Sequence, residues 1–339
     1  MATQTTDIRG ERQQERRAFA ASLIQQQGVL IALLVVLGFG LLRYGENFRS
    51  SFNIWEMLRN NSYYGLIALG MTFVIITGGI DLSVGAVVAL TSVAAARLSV
   101  HGVFLAAAGA VALGLAVGLV NGGLIARFKI QPFIVTLAML LACRGAALNL
   151  AHNANVSVDF ASGYIDIGQK NLGRVPVPVV ITIVAYLLAS IVLNFTRFGR
   201  HTLAIGGNEE AARLAGLPVA RTIVSVYALS GALAGLSGAI LAGLAFTGSP
   251  NYGIGWELTA IAAVVVGGTI LSGGRGSVWT TLVGVLLLGL IFNELNFERG
   301  KGIFELTQYW EEVIRGAFLL VVVIVQSRLA RRGPRAGRV

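Results

Sequence analysis

The stretch ITGGIDLSVGA, Ile76 to Ala86, lies between two apolar runs, YYGLIALGMTFVI upstream and VVALTSVAAARL downstream. It sets a single carboxylate, Asp81, among glycines. A packed soluble core admits such a group only with a partner. The centre of a bilayer disfavours it by about 3 kcal/mol on insertion scales. The solvent around this segment therefore decides the fold.

Composition points to a membrane. Hydrophobic residues make up 55% of the chain and charged residues 12%, about half the usual share of a soluble domain. The 43 glycines agree, because small residues let membrane helices approach closely. An all-α polytopic membrane protein is expected. The formal charge of +10 does not indicate nucleic acid, because the basic residues fall between apolar segments and at the two ends rather than on one face. A single cysteine, Cys143, excludes an internal disulfide and reads as a small buried hydrophobe. His101, His152 and His201 are far apart, so neither a metal nor a cofactor is expected.

A spanning helix needs about 20 mostly apolar residues. The candidates are 28–43, 62–79, 82–100, 103–126, 130–151, 176–195, 222–246, 258–272, 278–294 and 313–328, ten in all. The second and third, and the eighth and ninth, join through glycine-rich breaks. An even count puts both ends on one side. Residues 1–27 carry four arginines and the tail SRLARRGPRAGRV five, so the basic-residue bias makes both cytoplasmic. The same rule places 127–131, 196–221 and 272–277 inside, and 44–61, 152–175, 247–257 and 295–312 outside. The chain thus divides into a cytoplasmic tail (1–27), a transmembrane domain (28–328) and a basic cytoplasmic tail (329–339). The first apolar run lacks a small-residue cleavage site and reads as a retained helix. Trp55, Trp256 and Trp310 fall at expected outer interfaces and Trp279 at an inner one, as an aromatic belt requires.

Two seams of small residues stand out. LGLAVGLVNGG places Gly114, Gly118 and Gly122 on one helix face, and LSGALAGLSGA repeats the device with Gly231, Gly235 and Gly238. Both predict close helix packing.

GGIDLSVGA and VVGGTILSGGRGSVW (Val265 to Trp279) share one pattern: an apolar run, paired glycines, a short polar segment and another apolar run. A break frees backbone polar groups, which membrane proteins tolerate only inside protein or beside a water-filled cavity. In transporters, substrate often passes there. Gly78, Gly79, Asp81 and Ser83 are therefore candidates for a pathway or gate. Asp81 and Ser83 can alternatively cap a helix beginning at Leu82 or Val84. In KIQPFIVTLAMLLACRGAALNL, Pro132 suits a first helical turn, and Gln131 and Thr136 offer hydrogen-bonding groups to a polar path. Arg144 lies deeper, and an interior ion pair or carbonyl contact is expected for it.

The loop 196–221 contains AIGGNEEAARLAGLPVART, Ala204 to Thr222. Asn208 is a good N-cap, and Glu209 and Glu210 sit where the helix dipole favours negative charge. Gly216 suits the stop and Pro218 follows it. Ala211, Leu214 and Ala215 share an apolar face. A helix of about two turns is unstable alone, so it docks on something: its own bundle or a partner.

GMTFVIITGGIDLSVGAVVALT (70–91), AIGGNEEAARLAGL (204–217) and ELTAIAAVVVGGTILSGGRGS (257–277) together resemble the permease subunits of monosaccharide ABC importers, of the ribose, xylose and galactofuranose type. The likeness runs in order over roughly residues 30–327. It implies a permease of about ten helices, dimeric with a second permease in the bacterial inner membrane. It also implies delivery of sugar by a periplasmic binding protein and ATP hydrolysis in a partner subunit. In that family, 204–217 is similar to a coupling helix that enters a cleft of the ATPase; Asn208, Glu209, Glu210, Arg213, Leu214 and Gly216 carry the assignment here. One departure concerns the pathway. The family often has an acidic residue in ELDAIAAV, and this chain has Thr259 there.

No G-x-x-x-x-G-K-[ST] phosphate loop occurs, and the nearest lysine to a glycine-rich turn is Lys301, on the expected outside. No G-x-S-x-G or H-E-x-x-H is present either, so the chain is not expected to be an enzyme. Two competing readings remain open at this point: an ion-coupled secondary transporter using Asp81, and a branched-chain amino-acid permease of the ABC class.

Overall fold

The computed structural model describes residues 28–299 together with Trp310, Val313, Gly316, Ala317 and Leu320. The tails 1–27 and 329–339, Lys301 and most of the tenth candidate span (313–328) lie outside the described residues. The helices are α1 (Gly28–Tyr44), α2 (Glu46–Arg49), α3 (Ser51–Ile76), α4 (Val84–Leu98, prolonged by a 3-10 turn Ser99–His101), α5 (Val103–Phe128), α6 (Pro132–Leu150) and α7 (Asp166–Gln169). They continue with α8 (Val177–Phe195), α9 (Arg197–Gly207), α10 (Glu209–Leu214), α11 (Val219–Leu244), α12 (Trp256–Val266) and α13 (Val278–Arg299).

Among the described residues, six helical segments are long and apolar enough to cross a membrane: Val84–His101, Val103–Phe128, Pro132–Leu150, Val177–Phe195, Val219–Leu244 and Val278–Glu298. Two shorter apolar helices, Gly28–Tyr44 and Trp256–Val266, accompany them. The fold is an all-α multi-pass membrane protein. Helix α3 has the length to cross, but its first half carries Glu56, Arg59, Asn60 and Asn61. Its second half, Gly65 to Ile76, is buried without interruption. It is wrapped by protein, so its average polarity says little about depth.

The long helices connect alternately at two ends. At one end, β1 (Val156–Ser157) pairs antiparallel with β4 (Thr247–Gly248) and ties two distant loops together, while β2 (Asn171–Leu172) and β3 (Val175–Pro176) form a local hairpin. Gln169 donates to the Leu244 carbonyl there (2.6 Å), and Arg59 donates to Asn171 Oδ1 (2.9 Å). The opposite end holds both glycine-rich segments, α9 and α10.

The centre is the α5–α11 contact. Gly231 and Gly235 of α11 pack on α5, while Gly238 packs on Val88 and Ser92 of α4. A Cβ at Gly114 would lie 2.2 Å from the Gly231 carbonyl oxygen, and one at Gly231 would lie 2.2 Å from the Gly114 carbonyl oxygen. The backbones touch, as small-residue seams in membrane helices permit. Two large buried side chains elsewhere in the bundle find partners for their polar tips. The Tyr164 hydroxyl donates to the Ala239 carbonyl (2.6 Å) and the Tyr186 hydroxyl to the Gly65 carbonyl (2.9 Å).

Some boundaries differ from the sequence expectation. The second candidate span (62–79) belongs to a helix that starts at Ser51, because the Ser50 side chain accepts from the Asn53 amide and caps it. The eighth (258–272) is helical only to Val266. There the chain turns through Gly268 (φ +90°), and the Thr269 amide closes on the Val264 carbonyl (3.2 Å). Trp256, half-buried, stacks on Tyr63 (centroids 5.1 Å) and lies tilted against Tyr64 (4.6 Å).

Candidate functional site

The first break runs from Thr77 to Ser83, between α3 and α4. Helix α4 begins at Val84, and Ser83 occupies its N-cap position without a side-chain cap bond. Asp81, 1% exposed, holds the turn instead. Its Oδ1 accepts from the Ser83 amide (3.0 Å) and the Ser83 hydroxyl (2.6 Å). Its Oδ2 accepts from the Ser230 hydroxyl of α11 (2.9 Å). Asn121 of α5 donates from Nδ2 to Ser83 Oγ (3.0 Å). One carboxylate thus organises a buried polar group that joins the break to α5 and α11. None of the ion pairs among the described residues involves Asp81; its donors are an amide and hydroxyls.

That arrangement makes a prediction. Asp81→Ala should leave the protein inserted but lower its thermal midpoint in detergent, because the Ser83 amide and Ser230 hydroxyl lose their acceptor at a cost of about 1–3 kcal/mol each. Asp81→Asn, which can still accept from Ser83 and donate toward Ser230, should melt close to the wild type. Equal melting of all three proteins would contradict a holding role for this carboxylate.

The second break, Gly267 to Ser277, folds against the first. The Gly274 amide donates to the Ile76 carbonyl (2.9 Å) at the end of α3. Helix α9 lies across both: a Cβ at Gly206 would meet the Ile76 carbonyl oxygen and the Gly274 nitrogen, and Phe198 stacks on Phe73 of α3 (6.1 Å). The two glycine-rich segments and the 196–221 loop, far apart in sequence, therefore form one junction.

Beside this junction opens a cavity of about 630 Å³. The break contributes Thr77, Gly78 and Gly79 to its wall, and α10 contributes Glu209 and Arg213. Lys129, in a left-handed conformation after α5 (φ 54°), also lines it.

Helix α10 is built as its sequence indicates. Asn208 Oδ1 accepts from the Ala211 amide (2.9 Å), and Glu209 pairs with Arg213 one turn on (2.5 Å). Gly216 (φ +78°) ends it, with the Leu217 amide reaching back to the Ala212 carbonyl (3.0 Å). Its inner contact is made by Ala212, packed with Ile205 and Val219. The face expected to be apolar points away: Ala211 and Ala215 are exposed, and Leu214 is 81% exposed.

The other candidates are dispersed. Thr136 is buried, and its hydroxyl reaches the Pro132 carbonyl (2.9 Å) and the Ile80 carbonyl of the break (3.3 Å). Gln131 is the exposed N-cap residue of α6, with no side-chain cap bond. Thr259 is buried in a small pocket among α3, α12 and α13, beside Asn61 and Tyr64, away from the junction. Arg144 makes carbonyl contacts, donating from Nη1 to Pro250 and to Tyr252 (2.7 Å for the latter). Sequence reasoning missed Asn121 and Ser230. The available signal was a single asparagine inside the glycine seam of α5 and a serine beside Gly231 in that of α11.

A family model described as branched-chain amino acid transport system / permease component matches residues 53–323. The chain is 38% identical to the ribose import permease protein RbsC of Escherichia coli K12 over 320 residues, covering 92% of this chain and 97% of that protein. It is 38% identical to the ribose import permease protein RbsC of Bacillus subtilis, over 93% of this chain and 97% of that one. It is 36% identical to the L-arabinose ABC transporter permease protein AraH of Azospirillum brasilense, over 89% of this chain and 87% of that one. No solved structure matches the chain. The family model covers residues 53–323 and the relatives about nine-tenths of the chain, and the chain belongs to the family of transport-system permease components that includes the ribose import permease and the L-arabinose transporter permease.

Proposed function

We propose that this chain is the membrane-spanning permease subunit of an ATP-binding-cassette importer for a monosaccharide or related polyol. The relatives carry ribose import and L-arabinose transport in their names. The observation that carries the reading is α10, a capped helix whose largest apolar side chain faces outward where both glycine breaks meet. A cytoplasmic ATPase gripping that helix would act on the breaks through α9. Asn208, Glu209, Glu210, Arg213, Leu214 and Gly216 form the coupling element. Gly78, Gly79, Asp81, Ser83 and Thr136 form the gate side of the path; Gln131 and Thr259 stand apart from it. In this reading α1, α3, α12 and the segment 313–328 complete ten spans in the bacterial inner membrane, with both termini cytoplasmic. The β1–β4 end receives a periplasmic sugar-binding protein, and a second permease copy or homologue completes the path. The chain itself performs no catalysis.

The family description keeps branched-chain amino acids as a second substrate class. Uptake by the reconstituted complex from a panel of pentoses, hexoses, polyols, leucine and valine separates the two. One sugar or polyol should be taken up and the amino acids excluded; uptake of leucine or valine alone would overturn the sugar assignment.

A further inference from the structure

Among the described residues, three large tyrosines are almost wholly buried: Tyr164, Tyr186 and Tyr227. The first two give their hydroxyls to backbone carbonyls. The Tyr227 hydroxyl has no protein partner. Burying a hydroxyl without one is unfavourable, so an exception calls for a reason. Tyr227 is also the one of the three that borders the cavity beside the first break. Its hydroxyl abuts the break: a Cβ at Gly79 would lie 2.4 Å from it. Its backbone is fixed from behind, where the Tyr227 carbonyl oxygen fills the Cβ position of Gly118. The backbone that carries the ring is therefore fixed in the α5–α11 seam. The cavity, about 630 Å³, falls within the roughly 300–1,000 Å³ of small-molecule sites.

We propose that the Tyr227 hydroxyl, covered by the Gly78–Gly79 break in this conformation, is a solute contact uncovered as the break moves, hydrogen-bonding a hydroxyl of the transported polyhydroxylated molecule as it passes. This rests on the permease reading above and adds to it a residue that discriminates among solutes. A hydroxyl that both donates and accepts suits a sugar hydroxyl, which does the same. A tyrosine carried on a fixed backbone selects among epimers, because it favours one hydroxyl position.

The test begins with Tyr227→Phe, which keeps the ring and breaks no hydrogen bond within the protein. Its thermal midpoint should match or exceed that of the wild type. With the partner ATPase and binding protein in proteoliposomes, uptake efficiency for the preferred sugar should fall about 5- to 10-fold, with the preference over its epimers reduced. Unchanged efficiency and unchanged epimer preference would overturn the inference. Placement is checked separately: Gly79→Ala should destabilise the protein, and adding Tyr227→Phe should restore it. Failure to restore would mean that the hydroxyl does not lie against Gly79, and the inference falls. A third arm is independent of the sugar assignment. Tyr227→Cys in a Cys143→Ala background should react with a hydrophilic maleimide added from the α9–α10 side. No reaction in any nucleotide state would refute a solute-facing position. If the wild type carries no sugar of the panel, the sugar reading fails while this labelling still decides whether position 227 faces the path.

Discussion

Gly114→Leu is expected to abolish accumulation of folded protein, whereas Gly123→Ala on the same helix is expected to leave it intact or slightly stabilised. The difference lies in what each side chain would meet. At Gly114 the obstacle is the Gly231 carbonyl oxygen, 2.2 Å from the first carbon, with the Gly235 backbone at 3.0 Å. Backbone cannot rotate away as a side chain can. Overpacking usually costs about 1–3 kcal/mol, and here the whole α5–α11 contact must separate. Gly231→Leu should fail in the same way, and the two effects should not add because they share one contact. At Gly123 nothing lies within 4 Å, so alanine brings its helix preference of about 0.5–1 kcal/mol over glycine. Detergent-solubilised yield and thermal midpoint read both outcomes. Normal folding of Gly114→Leu would contradict the seam.

Leu214→Glu should remove ATP-driven uptake without unfolding the protein. Leu214 is 81% exposed, and surface substitutions away from structural features usually change stability by about 0.5 kcal/mol or less. A large apolar side chain at the centre of a docking face can contribute about 2 kcal/mol or more to association, roughly 30-fold in affinity. Co-purification of the ATPase subunit and uptake should fall together. Glu209→Arg with Glu210→Arg should act in the same direction by reversing the charge of the first turn. Ala212→Glu is the contrasting case. Ala212 packs on Ile205 and Val219, so this change should lower the thermal midpoint as well. Full uptake by Leu214→Glu would show that α10 is not gripped through its outer face.

Much of this was legible in the residues, for identifiable reasons. Glycines at steps of three and four mark a close-packed helix face, and both seams are packed against backbone as that rule requires. Spacing could not tell which helix each glycine meets, since a face does not name its partner. The α10 caps were readable because Asn208 and Gly216 act locally. Its inward side was not: Ala211, Leu214 and Ala215 make the more apolar face, yet the smaller Ala212 is what fits against α9. Helix α9 itself was missed; its glycines and arginines mimic a loop, and its order comes from packing on the broken segments. The two-residue strands at the other end are too short to show periodicity, and β1 and β4 are held together across about ninety residues of chain. Asp81 was recognisable as an oddity, but its link to Ser230 is a contact over 149 positions. The likeness to sugar permeases rested on three motifs, and the structure brings parts of all three to one junction.

The measurement that bears most directly on the account is solute uptake into proteoliposomes containing this chain, its ATPase and its binding protein. ATP would be held constant inside the vesicles and a protonophore added. Uptake of one sugar or polyol should persist with the protonophore, require every component and disappear in Leu214→Glu. Uptake that needs no ATPase and collapses with the ion gradient would contradict the importer reading. That result would make the chain an ion-coupled carrier, with Asp81 as the leading coupling group.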